Sequence, residues 1–450
     1  MNQTEFKNVF HQVCRMFYLQ RCGCRLSEET AGVFAHPACH TSKARIYGTE
    51  QYMAVSGGWH DAGDYGRYVV PAAKAVADLL LAYTAAPSAF SDSLGIHDSI
   101  SGVPDILTEI RYELDWMKKM QRSDGGVYHK VTCAGFPGFV MPHFETDKLV
   151  LSPVSTAAAG GFAAAMAMAY PVYADSDLEF AQGCLTAARR AWDYLSVTQP
   201  LPFHNPEGIV TGVYDDENDS DERYWAACAL YAATGSSEYH DYIKSHLNPV
   251  WAADLGWADV GAYGNAVYLG MDESLQESAV KGSIQRDLLK AADKVIQATE
   301  ISEYKISVSD FIWGSNMVVL NNAMLLLMAS DTQPRSAYPD CAWRHLDYIF
   351  GDNPTSVCYV TGASESSARH PHHRPSAAAG QTMPGMLVGG PDQYLHDACA
   401  SEHLRHSTPP CCYIDHAESY STNEVAIYWN SPLVYVMARL LDSAGRPSRA

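Results

Sequence analysis

Charge is scarce in this chain, and positive charge scarcer still. Of 450 residues only 18% are Asp, Glu, Lys or Arg, and 31 basic side chains stand against 51 acidic ones, a formal net charge of −20 at pH 7. A surface so poor in clustered Lys and Arg repels phosphate backbones and anionic headgroups, so neither nucleic acid nor a membrane is expected as a partner. A secretory leader is also missing from the given start: Met1, Asn2, Gln3, Thr4, Glu5 and Phe6 supply no basic residue followed by an apolar run. The compartment is therefore left open. The longest uncharged stretch, Leu149 to Ala174, exceeds the ~20 residues a membrane span needs. It is rich in Ala, Gly and Ser and interrupted by Pro153 and Pro171, so it reads as a buried helix. The twelve cysteines are thinly spread over a chain with ample apolar material, which favours free or metal-bound thiols over a disulfide framework.

A prior of ~150 residues per domain would divide the chain into three, but composition never shifts along it. We read residues 1–450 as one domain, expected to act as a monomer. Apolar residues recur at three and four. Ile106, Ile110, Leu114 and Met117 share one face of the segment Asp105 to Met120 while Glu109, Glu113 and Lys118 fall elsewhere. Similar patterns cover Glu5 to Gln20, Tyr68 to Tyr83, Val154 to Tyr170, Leu178 to Leu195, Glu222 to Thr234, Arg286 to Thr299, Met317 to Met328, Ala342 to Phe350 and Glu424 to Leu441. Shorter candidates bring the count to about a dozen helices, and no run of alternating strands appears. The expected class is all-α, with chemistry in the long Gly-, Pro- and Asp-rich loops at one end.

Three segments carry chemistry. Gly57 to Gly66, reading Gly-Gly-Trp-His-Asp-Ala-Gly-Asp-Tyr-Gly, sets Asp61 and Asp64 three residues apart among glycines and aromatics. That suits a site holding water beside a flat substrate, although Asx-turns and helix caps use Asp equally well. Tyr413 to Glu424 contains Asp415 and Tyr420 and runs into an apolar stretch with Trp429, Asn430 and Pro432. Glu424 there also suits a plain complement to a helix dipole. The third is Tyr359-Val360-Thr361-Gly362 followed by His370-Pro371-His372-His373-Arg374.

Together these segments resemble glycoside hydrolase family 9, the inverting β-1,4-glucanases, along nearly the whole chain. The resemblance implies an (α/α)6 barrel that hydrolyses β-1,4-linked glucan as an endoglucanase. It assigns Glu424 as the acid, Asp64 as the base and Asp61 as a holder of the attacking water. Asp415 and Tyr420 would line the cleavage subsite, and His372 and Arg374 would donate hydrogen bonds to sugar hydroxyls. Inverting enzymes need room for water between carboxyl groups ~6.5 to 9.5 Å apart. Exo-acting cellobiosidase, glucosidase and β-glucosaminidase activities are alternatives within the family. A zinc-dependent metallohydrolase and a non-catalytic carbohydrate-binding barrel are alternatives outside it. Members with this N-terminal type often carry a preceding β-sandwich module, which is expected to be absent here. Trp59, Trp313 and Trp429 are candidate sugar platforms, Trp313 the best of them and Trp429 the one better suited to the core.

Cys22, Cys39, His40 and His60 form a donor set suited to tetrahedral zinc, with Cys24 and His36 competing by position. The resemblance favours the first four as a structural site, and the adjacency of His60 and Asp61 would let zinc anchor the base loop. The acidic loop Thr211 to Glu222 is dense in oxygen donors without fitting an EF-hand. By resemblance it is a calcium loop, with Asp216, Asp221 and Glu222 as ligands and Thr211, Asp219 and Asp259 as further donors. Cys399, His403, His406, Cys411 and Cys412 form a second cluster, read as free thiols and surface histidines.

Overall fold

The computed structural model describes residues 2–91 and 93–442. Twelve helices of ten or more residues dominate them: α1 (Gln3–Leu19), α2 (Val69–Ala85), α3 (Asp105–Lys119), α4 (Thr156–Tyr173), α5 (Leu178–Val197), α6 (Ser220–Thr234), α7 (Ser237–His246), α8 (Gly261–Gly270), α9 (Ser278–Ile301), α10 (Ser315–Thr332), α11 (Ala337–Ile349) and α12 (Ile427–Asp442). Even-numbered helices form an inner ring and odd-numbered ones an outer ring, giving the six hairpins of an (α/α)6 barrel. Around the inside, α12 packs on α2, α2 on α4, α4 on α6 and α6 on α8, while α10 packs on α12 and α9 bridges α8 and α10.

Sequence decides which ring a helix joins. The outer α5 is amphipathic, burying Phe180, Cys184, Leu185, Ala188, Ala191 and Leu195 along one stripe. The inner α4 is buried on all sides from Thr156 to Ala169, started by Ser155, whose hydroxyl accepts from the amide of Ala158. A Cβ on Gly160 would stand 2.5 Å from that of Glu222, so only glycine lets α4 approach α6 this closely. No helix of the described residues is long and apolar enough to cross a membrane, in line with the reading of Leu149 to Ala174.

At the barrel centre Asp78 accepts hydrogen bonds from Lys74 at 2.7 Å, Ser431 at 2.7 Å and Tyr263 at 2.6 Å. All are buried, so one polar knot fastens α2, α8 and α12. The apolar core runs unbroken from Phe6 to Leu440.

A small sheet, not anticipated from the sequence, sits at the loop end. Its strands are β1 (Ala44–Ile46), β2 (Tyr52–Met53), β3 (Arg67–Tyr68), β4 (Lys130–Thr132) and β5 (Val150–Leu151), in the order β2-β1-β5-β4-β3, with only β1 and β5 parallel. Strands of two or three residues are too short to show alternation. The last helix also begins later than expected. Glu424 is extended (φ −70°, ψ 164°) because the chain pairs there with His372 and at Val425 with Val388, so α12 starts only at Ile427.

Candidate active site

The residues just before the N-termini of the inner helices gather around one cavity of about 320 Å³. Asp61, Asp64 and Tyr68 come from the segment before α2, Gly212, Tyr214 and Asp215 from that before α6, Trp257 from that before α8, Trp313 from that before α10 and Glu424 from that before α12. The three carboxylates singled out from opposite ends of the sequence thus share one chamber. Backbone contacts hold them there. Ile427 donates to the carbonyl of Asp61 at 2.8 Å, and Arg374 donates from its amide to Gly63 at 3.1 Å. A Cβ on Gly63 would lie 2.0 Å from the carbonyl oxygen of His372, so glycine is required for the base loop to seat against the 370–374 segment.

Each carboxylate has a distinct environment. Asp61 Oδ2 accepts from the Tyr214 hydroxyl at 2.5 Å, while its Oδ1 is buried without a protein partner. Asp64 Oδ2 accepts from the amide of Gly66 at 3.0 Å and the hydroxyl of Tyr68 at 3.3 Å. Burial pushes the carboxyl of Asp61 well above the usual range, and the charge of Asp64 adds to it. Burial also raises Asp64, opposed chiefly by the Arg374 guanidinium. Glu424 is held well above its ordinary value by loss of water and then by Asp64. Two carboxylates whose surroundings make one keep its proton and let the other lose it are what acid–base hydrolysis requires.

The remaining expected residues divide by what they touch. Trp313 is 40% exposed and lines the cavity, with the ring of Tyr420 5.2 Å away. Tyr420 is itself exposed and donates to the carbonyl of His396 at 3.0 Å. His372 lies 6.0 Å from Tyr420, ring to ring, and its Nδ1 donates to the carbonyl of Ala417 at 2.5 Å. Burial keeps this ring below its ordinary pKa. Arg374 spends Nε on Pro137 O at 2.9 Å and Nη1 on Gly63 O at 2.9 Å, and so clamps backbone more than it offers donors to a sugar. Asp415 accepts from the amides of Arg369 and His370, each at 2.8 Å, and from the Asn423 side chain at 3.0 Å. With both oxygens engaged it braces the start of the 369–374 segment, and it is not among the residues lining the cavity, where a place lining the subsite was expected. Trp59 is corrected from platform to core: it is buried against Phe17 at 4.9 Å and donates to Glu109. Trp429 is core as expected, with one edge reaching the cavity.

Tyr214, Trp257, Tyr428 and Phe136 also line the cavity and were missed. Tyr214 has a left-handed backbone (φ 48°), and its ring meets those of Tyr68, Trp257 and Tyr428 at 4.9, 5.2 and 5.8 Å. Only its place in the acidic loop could have drawn attention to it.

The Cys22, Cys39, His40 and His60 set is compact and buried, with ligand atoms all within 4.8 Å; no other such group of three or more is found among the described residues. Cys22 Sγ lies 4.0 Å from Cys39 Sγ and 3.6 Å from His40 Nδ1, and Cys39 Sγ lies 3.7 Å from His60 Nε2. Zinc bonds of ~2.3 Å to sulfur and ~2.0 Å to nitrogen, at tetrahedral angles, would set these atoms about 3.5 to 3.8 Å apart. The fit is good. A two-rung antiparallel contact, Cys22 N to Gly58 O and His60 N to Gln20 O, both at 2.7 Å, brings the distant segments together. Glu145 binds His40 Nε2 at 2.8 Å from outside, as carboxylates do behind metal-ligating histidines. The competitors stand apart, His36 turning Nδ1 to the carbonyl of Pro37 and Cys24 lying outside the group. All twelve cysteines are free of disulfides, and Cys399, His403, His406, Cys411 and Cys412 form no compact donor group.

In the acidic loop both carboxylate oxygens of Glu222 and Oδ2 of Asp216 are buried without a hydrogen-bond partner, while Asp221 accepts from the amide of Val260 at 2.7 Å. Burial lifts Asp216 to about 6, and Asp254, not anticipated, also to about 6 beside Asp259 and Asp221. These buried acidic oxygens lack a hydrogen-bond partner, but Asp216, Asp221 and Glu222 do not gather as compactly as the Cys and His set. Two expected donors are corrected. Asp219 is held by both ends of the Arg223 guanidinium at 2.9 and 3.0 Å, and the oxygens of Thr211 are taken by Lys130 and Asn205.

Comparison with known proteins agrees with this geometry. The family model described as glycosyl hydrolase family 9 matches residues 6–437. A cellodextrinase from Butyrivibrio fibrisolvens is 37% identical over 98% of this chain and 85% of its own length. Among solved structures, a single-mutant thermostable endoglucanase (D468A) from Alicyclobacillus acidocaldarius superimposes with a TM-score of 0.94 at 44% identity, covering 98% of this chain and 85% of that one. A structure described as AaCel9A in complex with cellobiose-like isofagomine gives 0.94 at 44% identity, covering 97% and 85%. With a match along nearly its whole length, and with the barrel and its shared carboxylate chamber already in place, the chain belongs to glycosyl hydrolase family 9.

Proposed function

We propose that this protein hydrolyses β-1,4-glucosidic bonds of cellulose, cello-oligosaccharides or mixed β-glucan, chiefly as an endoglucanase, with inversion at the anomeric carbon. The observation that carries the reading is the shared chamber: Asp61, Asp64 and Glu424 around one cavity walled by Trp257, Trp313 and Tyr428. Glu424, kept protonated, gives its proton to the leaving oxygen. Asp64 takes the proton of a water molecule that attacks the opposite face of the sugar, and Asp61, steadied by Tyr214, holds that water through its free Oδ1. The ring of Trp313 offers a flat face to the apolar side of a glucose unit. The relative named a cellodextrinase and the solved endoglucanase both support a cello-oligosaccharide or glucan substrate. The continuous core supports residues 1–450 acting as one catalytic domain.

The ligand sets support structural metals. Cys22, Cys39, His40 and His60 would hold zinc in a closed sphere of four protein ligands, which leaves no position for catalytic water. Asp216, Asp221 and Glu222 would hold calcium, whose charge would offset the mutual repulsion of their carboxylates. Neither supplies a step of the hydrolysis.

The test is product analysis on cellohexaose, carboxymethyl cellulose and chitosan oligosaccharides, with proton NMR of the first-formed anomer. Internal cleavage of cellohexaose giving α-anomers is expected. β-Anomers overturn the inverting assignment, and release of glucosamine alone overturns the substrate class. Metal content and stability are read separately after chelation and re-addition of zinc or calcium.

A further inference from the structure

Lys130 is a fully buried cation of the loop end. It stands on β4 directly across from Tyr68 on β3, and its ammonium lies 5.5 Å from the centre of the Tyr68 ring. Four oxygens surround it: Asn205 Oδ1 at 2.6 Å, Gly212 O at 2.6 Å, Thr211 Oγ1 at 3.0 Å and Thr211 O at 3.3 Å. This is a cation site whose cation the protein itself provides.

Lys130 lies against Tyr68 and pins the Thr211–Gly212 backbone just before Tyr214, and these two tyrosines are the ones that reach the carboxylates. Tyr68 reaches Asp64 with its hydroxyl. Tyr214, which reaches Asp61, follows Gly212 by two residues in a segment whose left-handed backbone needs external support. Neighbouring His129 fastens the same segment, its Nε2 donating to Val213 O at 2.9 Å and its ring stacked on Phe203 at 3.8 Å. We infer that Lys130 is a positioning residue for hydrolysis: one ammonium backs the ring of Tyr68, which reaches Asp64, and pins the backbone leading to Tyr214, which reaches Asp61.

Among charged and titratable groups, Lys130 faces Asp64, Tyr68 and His129. Asp64 in turn faces Arg374, Glu145, Tyr68, Asp61 and Glu424. Burial lowers the ammonium to about 7 and Asp64 opposes it, so the positive charge is present through the weakly acidic range. The inference rests on the catalytic reading of Asp61 and Asp64 proposed above.

The test compares Lys130→Met, Lys130→Gln and Lys130→Arg with the unaltered enzyme on cellohexaose across pH, with circular dichroism to verify folding. In Lys130→Met and Lys130→Gln, kcat should fall at least tenfold while KM stays within twofold. The acidic limb of kcat/KM should move to higher pH, because a cation that favoured the Asp64 carboxylate is gone. Lys130→Arg should restore most of kcat and the original limb. The titration of the Asp64 carboxyl carbon in ¹³C-aspartate-labelled protein, assigned with Asp64→Asn, reads the same bias without turnover. If Lys130→Met does not fold, the Gln and Arg variants carry the comparison. Folded neutral variants with kcat within twofold and an unmoved limb would overturn the inference, as would an Arg variant no better than Met. An enzyme inactive on every glucan while Asp64 still titrates higher in Lys130→Gln would instead count against the proposed function and leave the role of Lys130 standing.

Discussion

The hydroxyl of Tyr214 donates to Oδ2 of Asp61 at 2.5 Å, leaving the other oxygen of that buried carboxylate unclaimed by protein. A hydrogen bond to a charged group contributes about 1.5 to 3 kcal/mol. Tyr214→Phe is therefore expected to lower kcat roughly 10- to 100-fold with little change in KM, as steady-state kinetics on cellohexaose would reveal.

Replacing Glu424 by Gln keeps the shape of the side chain and removes its proton. Turnover of unactivated glucan should fall by ~10² to 10⁴, the usual scale of general acid catalysis. An aryl cellobioside with a good leaving group, needing little protonation, should lose far less. Equal losses on both substrates would place the acid elsewhere.

Because surrounding protein and the charge of Asp64 hold Glu424 well above the ordinary carboxylate range, the alkaline limb of kcat/KM should lie correspondingly high. Asp64 is raised less completely, with Arg374 resisting, and sets the acidic limb. A profile that climbs without an alkaline limb would contradict the assignment of Glu424.

The same shift makes Asp64 costly to the fold. A carboxyl whose pKa is raised by folding contributes stability that is whole below its unfolded value near ~3.9 and is lost as pH rises through its folded value. At neutral pH the ionised, buried Asp64 is thus a net burden. Asp64→Asn should abolish hydrolysis yet raise Tm at pH 7 by a few degrees, on the order of 1 to 5 °C, with little gain near pH 3.5. Calorimetry at the two pH values checks the sign.

Cys39→Ala removes one of four donors from a group that ties Cys22 to His60, the neighbour of Asp61. Both Tm and kcat should fall, and bound zinc by elemental analysis should fall with them. Unchanged values would detach the metal site from the base loop.

Much of this molecule is legible without coordinates, and the reasons differ by part. The helices of the outer ring announce themselves by period, as α3 and α5 do. The inner ones are betrayed by composition, since α4 is apolar all round and small enough in its residues to pack between neighbours. Asp61, Asp64 and Glu424, which share the cavity, and Cys22, Cys39, His40 and His60, which gather in one buried cluster, lie in segments that the sequence singles out. Trp59 was misread because an aromatic in a catalytic loop looks the same whether it faces sugar or Phe17. Asp415 and Arg374 were found, but their work is on backbone carbonyls and amides, which leave no trace in side-chain pattern. Lys130 and Glu145 were invisible for a related reason: each matters through residues distant in sequence that only the fold brings near.

The hydrogen bond from Ile427 to Asp61 fastens the last inner helix beside the first. During synthesis the ribosome delivers Asp61 and Asp64 about 360 residues before Glu424. In a nascent chain, or one clipped before Glu424, the chamber therefore lacks one of its three carboxylates until the circle of helices is complete.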